Sequence, residues 1–419
     1  MTGRSIVSGV SAIAAVIAVV AAFLLRKPEI GPIEAPKATT FNLDLVTRGA
    51  EIAAIGNCVV CHTKQNGAAY AGSRALPTPF GTVYSSNISP DQETGIGRWS
   101  EEAFRRALRD GVDRIGRHLY PAFPYDHFTH LTDYDIHALY AFMMTRDPVR
   151  AVIPENKLSF PFNIRPLLAG WNLLFLRGGP RSQDASQSAE WNRGAYLAES
   201  AAHCGACHTP RNFLGAEKKS QAYGGSTIEG WVAPALDSSS PAPVAWTADQ
   251  LFEYLRTGWE VRHGGAAGPM APVTENLADA SEGDIRAIAV YIASLSKGRE
   301  NNPAPPREPS QGTSAAATIY AGACGVCHEK PAGMASQSLP LTLSSALREP
   351  QPRNTINVIL HGVPLRPGEP GPFMPAFGDT LSDSQIVDVT AYLRNRFTDQ
   401  PAWNNIGSDI EKIRKGNAS

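Results

Sequence analysis

The sequence contains three copies of one pentapeptide, in which two cysteines separated by two residues are followed directly by a histidine. The copies are Cys58-Val59-Val60-Cys61-His62, Cys204-Gly205-Ala206-Cys207-His208 and Cys324-Gly325-Val326-Cys327-His328. This spacing places both thiols one helical turn apart, so both can form thioethers with the vinyl groups of one haem while the histidine binds its iron. The pattern predicts three covalent haems c. The predicted attachment residues are Cys58, Cys61, Cys204, Cys207, Cys324 and Cys327, with His62, His208 and His328 as iron ligands.

Cysteine pairs with this spacing also occur in zinc half-sites, thioredoxin-like redox pairs and structural disulfides. Here the copies use all six cysteines, a histidine follows each pair, and no further thiol–imidazole set completes a zinc site. The net charge of −1 favours neither nucleic acid nor an acidic substrate. The sequence also lacks a phosphate loop, a dinucleotide fingerprint and a nucleophile-elbow motif. Haem attachment is therefore the interpretation that accounts for the motifs.

The N-terminal region contains an uncharged run of 20 residues, from Ile6 to Leu25, between Arg4 and Arg26-Lys27. As a helix, this run would be about 30 Å long, which matches the hydrocarbon core of a bilayer. The sequence predicts an uncleaved transmembrane anchor, with a cleaved signal peptide as the alternative. Thioether attachment of haem is extracytoplasmic in bacteria. Under either interpretation, the haem domains are expected in the periplasm, and the anchor places them on the inner membrane.

Flanking sequences repeat around the motifs and indicate tandem domains. The run before each motif is Arg48-Gly49-Ala50, Arg193-Gly194-Ala195 or, loosely, Ser314-Ala315-Ala316-Ala317. The closing helix of each repeat has a predicted N-cap, at Thr132, Ser281 and Ser382. Each closing helix also carries an aromatic residue where the first and last helices are expected to cross, at Phe142, Tyr291 and Tyr392. This plan resembles class I cytochrome c and predicts an all-α fold.

The expected organisation is three tandem class I cytochrome c domains joined by linkers. The ranges are 1–27 for the anchor or signal peptide, 28–41 for a tether, 42–150, 188–297 and 314–399 for domains 1 to 3, 151–187 and 298–313 for linkers, and 400–419 for the tail. The apolar stretch from Leu158 to Leu176 is too interrupted to span a membrane. It is expected either to pack at the boundary of domains 1 and 2 or to dock on a partner or a membrane surface. The tail after Gln400 is expected to be mobile.

The sixth iron ligand in this fold comes from the loop before the closing helix. Domain 2 offers Met270 in Pro269-Met270-Ala271-Pro272, and domain 3 offers Met374 in Phe373-Met374-Pro375. In domain 1 the corresponding residue is Phe123, which cannot bind iron. The closest replacement is His127, four residues later, so the sequence predicts two histidine ligands at haem 1. His118, His130 and an open, five-coordinate iron remain as alternatives, whereas Met143 is interpreted as a core residue of the closing helix.

Each iron-binding histidine is expected to donate its second ring proton to a carbonyl group on the following loop. The candidate acceptors are Pro79, Pro234 and Pro340.

Several stretches resemble tri-haem cytochrome c subunits of membrane-bound bacterial dehydrogenases. They are TPFGTVYSSNISPD at 78–91, TGIG at 94–97, LYPA at 119–122, HCGACHTPRN at 203–212 and GW at 230–231. The run YPAFPYDHF at 120–128, with Phe123 where most members have methionine, resembles the branch that serves molybdenum hydroxylases. This resemblance implies a partner with molybdopterin and [2Fe–2S] subunits, of the aldehyde, isoquinoline or nicotinate dehydrogenase type.

The resemblance implies an electron-transfer subunit that passes electrons from such a dehydrogenase to ubiquinone or a terminal oxidase. The sequence offers no substrate-oxidising centre, so no activity as a free-standing enzyme is expected. A quinoprotein alcohol dehydrogenase or an FAD-dependent sugar or gluconate dehydrogenase is the alternative donor. A haem peroxidase with an open haem 1 is the alternative of a different class.

Overall fold

Each cysteine motif lies between an opening helix and a later pair, a middle helix and a closing helix. The computed structural model describes residues 27–296, 306–307, 314–329, 338–363 and 373–416. The motif helices are Cys58–Cys61, Cys204–His208 and Gly325–His328. The opening helices are Leu43–Ile55, Ala189–Glu199 and Ala315–Ile319, the last continuing as a π-helical turn over Tyr320–Cys324. The middle helices are Glu101–Asp110, Ala248–Thr257 and Arg353–His361, and the closing helices are Asp133–Met144, Glu282–Leu295 and Asp383–Phe397.

Shorter elements complete the described structure, which is helix-rich but contains short antiparallel strands that the all-α prediction omits. Four further α-helices are Tyr125–Phe128, Leu167–Phe175, Met270–Leu277 and Ile406–Arg414. Single 3₁₀ turns are Ala38–Thr40, Lys219–Gln221 and Leu341–Leu343. The strands are β1 (Ala75–Thr78), β2 (Gly81–Tyr84), β3 (Lys157–Leu158), β4 (Ser226–Ile228), β5 (Trp231–Ala233), β6 (Trp259–Glu260) and β7 (Gly264–Gly265). They pair antiparallel as β1–β2–β3, β4–β5 and β6–β7, with Leu76 opposite Val83 and Thr227 opposite Val232.

The chain divides into two compact units. The first consists of Met1–Ala50 and Cys61–Arg181, and the second of Glu51–Val60 and Ser182–Ser419. The second unit therefore contains the ranges predicted for both domain 2 and domain 3. The boundaries of three separate domains stay a prediction.

The closing helices begin where the sequence predicts. The hydroxyl of Thr132 accepts a hydrogen bond from the backbone N–H of Asp135 at 3.1 Å, and Ser281 does the same for Asp284 at 3.2 Å. Ser382 accepts from the N–H of Gln385, whose side chain accepts in return from the Ser382 N–H at 2.9 Å. These contacts satisfy N–H groups that have no partner within the helix, which fixes the first turn.

The repeated Arg-Gly pair explains how opening and closing helices meet. The Arg48 guanidinium contacts the Asp135 carboxylate at 2.9 Å, and Arg193 contacts Asp284 at 2.7 Å. A β carbon at Gly49 would collide with the backbone of Ala138 in the closing helix, and Gly194 lies equally close to its own closing helix. Because glycine has no β carbon, the two helix axes can approach closely at this position.

Adding a methyl group at this crossing is expected to destabilise the second unit. A Gly194→Ala side chain would meet the Ala287 carbonyl and the Tyr291 side chain, so the helices would have to separate, at a cost of about 1–3 kcal/mol or more. Gly283→Ala is the matched control, since no atom lies within 4 Å of a β carbon there and helix propensity favours alanine by up to about 1 kcal/mol. In thermal unfolding followed by far-UV circular dichroism, the midpoint of Gly194→Ala should fall below that of the wild type, and the midpoint of Gly283→Ala should rise above it. Equal midpoints would contradict the close crossing.

The C-terminal region differs from the expected mobile tail. Its helix, Ile406–Arg414, buries Ile406 and Ile410 in the core formed with the third closing helix. Arg414 also contacts the Asp383 carboxylate at 2.7 Å. The prediction of a mobile tail is therefore wrong for these residues, because their apolar side chains recur at helical spacing and find a core to cover.

The predicted anchor from Ile6 to Leu25 lies outside the described residues. Among the helices that the structure does describe, none combines the length and the apolar character needed to cross a bilayer.

Candidate haem-binding sites

The six cysteines are arranged as haem attachment requires. No disulfide joins any of them, and the first two motif helices each hold both thiols one turn apart. In the third motif, Cys324 ends the π-helical turn that leads into the helix carrying Cys327. Burial raises the pKa of the Cys204 thiol to about 12, with the neighbouring Cys207 adding to the effect. Burial likewise raises the pKa of Cys324. These two thiols therefore differ from the low-pKa thiols of redox-active cysteine pairs.

The histidine of each motif is held by one ring nitrogen. Nδ1 of His62 lies 2.7 Å from the Ser86 carbonyl oxygen, Nδ1 of His208 lies 2.7 Å from that of Pro234, and Nδ1 of His328 lies 2.8 Å from that of Leu339. Since a carbonyl oxygen only accepts, Nδ1 carries the proton and Nε2 keeps the lone pair that a metal requires.

The acceptor is predicted correctly in the second motif only. Pro234 is confirmed. Pro79 is wrong, because the accepting carbonyl belongs to Ser86, after the β1–β2 hairpin, and Pro340 is wrong by one residue, because Leu339 accepts instead. Burial lowers the pKa of His62, His208 and His328, while the carbonyl contact opposes this in part. All three imidazoles are therefore favoured in the neutral form that binds iron.

The segments that contain the predicted methionine ligands share a structural marker. Each middle helix ends at a glycine with positive φ, at Gly111, Gly258 and Gly362. Twelve residues beyond these glycines lie Phe123, Met270 and Met374. Met270 begins a helix, and Met374 pairs with Val363 through two backbone hydrogen bonds of 2.9 and 3.0 Å. The structure thus aligns the phenylalanine of the first repeat with the two methionines.

Phe123 belongs to an aromatic cluster, and its ring centre lies 5.3 Å from that of Phe128. His127 is buried on the short helix Tyr125–Phe128, which also carries Phe128. Nδ1 of His130 lies 2.5 Å from the Gly179 carbonyl oxygen, and Nδ1 of His118 lies 3.5 Å from the Asn172 side-chain nitrogen. Met143 is buried in the closing helix, as its interpretation as a core residue requires.

The β4–β5 hairpin contacts both His208 and the segment before Met270. The turn before β4 donates from the Gly225 N–H to the His208 carbonyl at 2.8 Å, and Pro234, directly after β5, accepts the imidazole proton. The Trp231 ring of the same hairpin lies against Gly268, two residues before Met270. The Asn354 side chain binds both the N–H and the carbonyl of Val232 at 2.8 Å. A shift of this hairpin would therefore move the histidine and the methionine together.

Comparisons with known proteins find cytochrome subunits among the relatives of this chain. Residues 311–393 match the family model described as cytochrome c oxidase, cbb3-type, subunit III. The chain is 45% identical to a nicotinate dehydrogenase subunit of Pseudomonas putida over 407 residues, which is 96% of this chain but 34% of that protein. It therefore spans about a third of the length of that relative.

Two further relatives are matched over most of their length. The chain is 34% identical to the fructose dehydrogenase cytochrome subunit of Gluconobacter japonicus, covering 88% of this chain and 83% of that subunit. It is 33% identical to the cytochrome c subunit of alcohol dehydrogenase (quinone) of Gluconacetobacter polyoxogenes, covering 88% of this chain and 84% of that subunit.

The helical fold and the cysteine–histidine sites define a c-type cytochrome with covalently bound haem. The chain belongs to the family of cytochrome c subunits of dehydrogenase complexes. Its function is that of an electron-transfer cytochrome subunit of such a complex.

Proposed function

We propose that the chain binds three haems c and passes electrons from a molybdenum and iron–sulfur hydroxylase to ubiquinone or a terminal oxidase. When bound, the haems supply one-electron redox chemistry. The proposed number of haems rests on the recurrence of one set of donor groups. Each set consists of two thiols one turn apart and an imidazole whose Nδ1 is hydrogen-bonded to a carbonyl. The thiols anchor the porphyrin, and the carbonyl of Ser86, Pro234 or Leu339 orients the imidazole.

The proposed ligand opposite the motif histidine differs between the sites. Met270 and Met374 occupy the same position after their middle helices, which supports histidine–methionine ligation at the second and third sites. Phe123 occupies this position in the first site, so His127 is the proposed ligand there, with His118 and His130 as the other imidazoles in the same loop. Methionine raises the potential of a haem relative to a second histidine, so the first site is the low-potential one.

Similarity to the relatives supports the proposed type of donor. Identity to the nicotinate dehydrogenase subunit is 45%, against 34% and 33% for the fructose and alcohol dehydrogenase subunits. Together with Phe123, this favours a partner of the molybdopterin and [2Fe–2S] type. Such a partner delivers single electrons, for which a low-potential first haem is a suitable acceptor. A flavin or quinoprotein dehydrogenase is the second candidate, because the chain covers 83% of the fructose dehydrogenase cytochrome subunit and 84% of the cytochrome c subunit of alcohol dehydrogenase (quinone).

The proposed location is the periplasmic face of the inner membrane. The uncharged run from Ile6 to Leu25 is long enough for a transmembrane anchor, and covalent haem attachment requires an exported chain. This location brings the haem domains close to membrane ubiquinone.

The test is purification of the tagged full-length chain from its native host with its bound partners. A molybdopterin subunit, with molybdenum and acid-labile sulfide in the complex, is the expected result, and the partner's substrate should reduce the haems. Bound flavin or pyrroloquinoline quinone in place of molybdenum would establish the second candidate. Peroxide-dependent turnover by the isolated chain would instead contradict a role limited to electron transfer.

A further inference from the structure

The first unit exposes an apolar patch that the electron-transfer function does not use. Its members follow β3 and continue along the helix Leu167–Phe175, and they are Phe160, Phe162, Ile164, Leu167, Leu173 and Leu174. Leu173 is 71% exposed, Leu174 57% and Phe160 80%. Single exposed apolar residues are ordinary, but a group of large ones within 15 residues of chain marks an interaction surface.

The helix under this apolar patch is firmly held. Trp171 is buried, and its ring lies 5.9 Å from that of Tyr125. The Asn172 side chain accepts from the Tyr125 hydroxyl at 2.7 Å and donates to the Asp110 carbonyl at 2.9 Å. The exposed leucines therefore project from a fixed helix, because the opposite side of that helix is bound to the core.

The loop from Asp110 to His118 contacts both the segment that carries the apolar patch and the residues that follow Lys27. On one side, it binds Asn172 through Asp110, and its His118 carbonyl accepts from Arg165 at 2.8 Å. On the other side, the Arg114 carbonyl accepts from the Ile30 N–H at 2.9 Å.

The same side of the loop holds the residues that directly follow Lys27. The Arg114 guanidinium contacts Glu29 at 2.9 Å, and Arg106 donates to the Pro28 carbonyl at 2.7 Å. Gly116 lies so close to the Lys27 carbonyl that a β carbon would not fit. The apolar patch and Lys27, where the run from Ile6 to Leu25 has just ended, are thus fixed to one loop.

We propose that the apolar patch lies in the headgroup region of a phospholipid bilayer. This inference rests on the proposed anchor: a segment that leaves the membrane at Arg26-Lys27 holds the loop from Asp110 to His118 at headgroup level. The apolar side chains then enter the boundary between headgroups and acyl chains, as those of interfacial helices do. Arg177, exposed just after the helix, complements anionic lipid phosphates. The membrane contact at this surface adds to the anchor and fixes the orientation of the first unit.

Photocrosslinking distinguishes lipid from protein at this surface. The full-length chain, in native membranes, carries p-benzoylphenylalanine at Leu173 or Leu174, or at Leu43 as control. Leu43 is 76% exposed in the same unit but lies outside the apolar patch. The expected result is lipid adducts at Leu173 and Leu174, detected by mass spectrometry, and at least tenfold fewer at Leu43.

Three outcomes of the crosslinking experiment would overturn the proposal. They are crosslinks from Leu173 and Leu174 to a dehydrogenase subunit, membrane-retained protein without lipid adducts, and equal adduct yields at Leu43. Release of the chain from washed membranes would overturn both the anchor and this surface. Adduct formation needs no electron transfer, so lipid adducts together with failed haem reduction would contradict the proposed function alone.

Discussion

Replacing both thiols of the second motif, in a Cys204→Ala/Cys207→Ala variant, is expected to lower the covalent haem content from three per chain to two. The reason is geometric: the two thiols of one turn are the attachment points, and the His208 imidazole alone holds haem only by a reversible bond to iron. The corresponding pairs at Cys58 and Cys61 and at Cys324 and Cys327 should each remove one haem as well. Pyridine haemochrome absorbance per protein and intact mass measure this loss.

The control for this experiment changes a motif without changing its thiols. Val326 lies between the two cysteines of the third motif and is 52% exposed, so Val326→Ala should retain all three haems. Loss of a haem also removes the group around which its site is organised, so each double variant should unfold at a lower temperature than this control. A wild-type chain from its native host with the bare polypeptide mass and six reactive thiols would contradict every haem assignment.

Local rules made the helix boundaries and crossings predictable. Thr132, Ser281 and Ser382 are caps because a short hydroxyl side chain directly before a helix satisfies an N–H of its first turn. The repeated Arg-Gly pair marks the contact between opening and closing helices. The partners of its arginines, Asp135 and Asp284, are visible only in the structure. An acidic residue three positions after each of these two caps was the signal that would have identified them.

Loop paths were less predictable, because tertiary packing determines them. Ser86, rather than Pro79, binds His62, since Pro79 lies in the turn of the β1–β2 hairpin and the second strand carries the chain back to the motif. The helix Ile406–Arg414 was not predicted for a different reason. Its isoleucines have helical spacing, but its burial depends on a core formed by the preceding closing helix. For the ligand opposite His62, the sequence identifies the absence of methionine at Phe123 and leaves three histidines to be distinguished by experiment.

Removing the imidazole at His127 is expected to convert the first haem from low spin to high spin, because Phe123 cannot replace it as a ligand. In the oxidised wild type, the far-red methionine–iron band should correspond to two haems, bound by Met270 and Met374. The His127→Ala variant should keep this band and add a high-spin signal from one haem in electron paramagnetic resonance. An unchanged low-spin spectrum would exclude His127, and the same substitution at His118 and His130 would then identify the ligand.

Restoring methionine at Phe123 in the His127→Ala background should rescue the site in a different form. Since Phe123 lies twelve residues after Gly111, as Met270 does after Gly258, the new thioether should reach the iron, and the far-red band should grow from two haems to three. The potential of this haem should rise above that of the wild type by on the order of 0.1 V, a fraction of the roughly 0.8 V over which axial ligands act. Phe123→Leu in the same background is the control, because it has similar bulk and no donor, and it should stay high-spin. A far-red band that stays at two haems in the Phe123→Met/His127→Ala variant would contradict the alignment of the three loops. A band of three haems together with a raised potential requires that Phe123 occupies the ligand position that methionine holds in the other two sites.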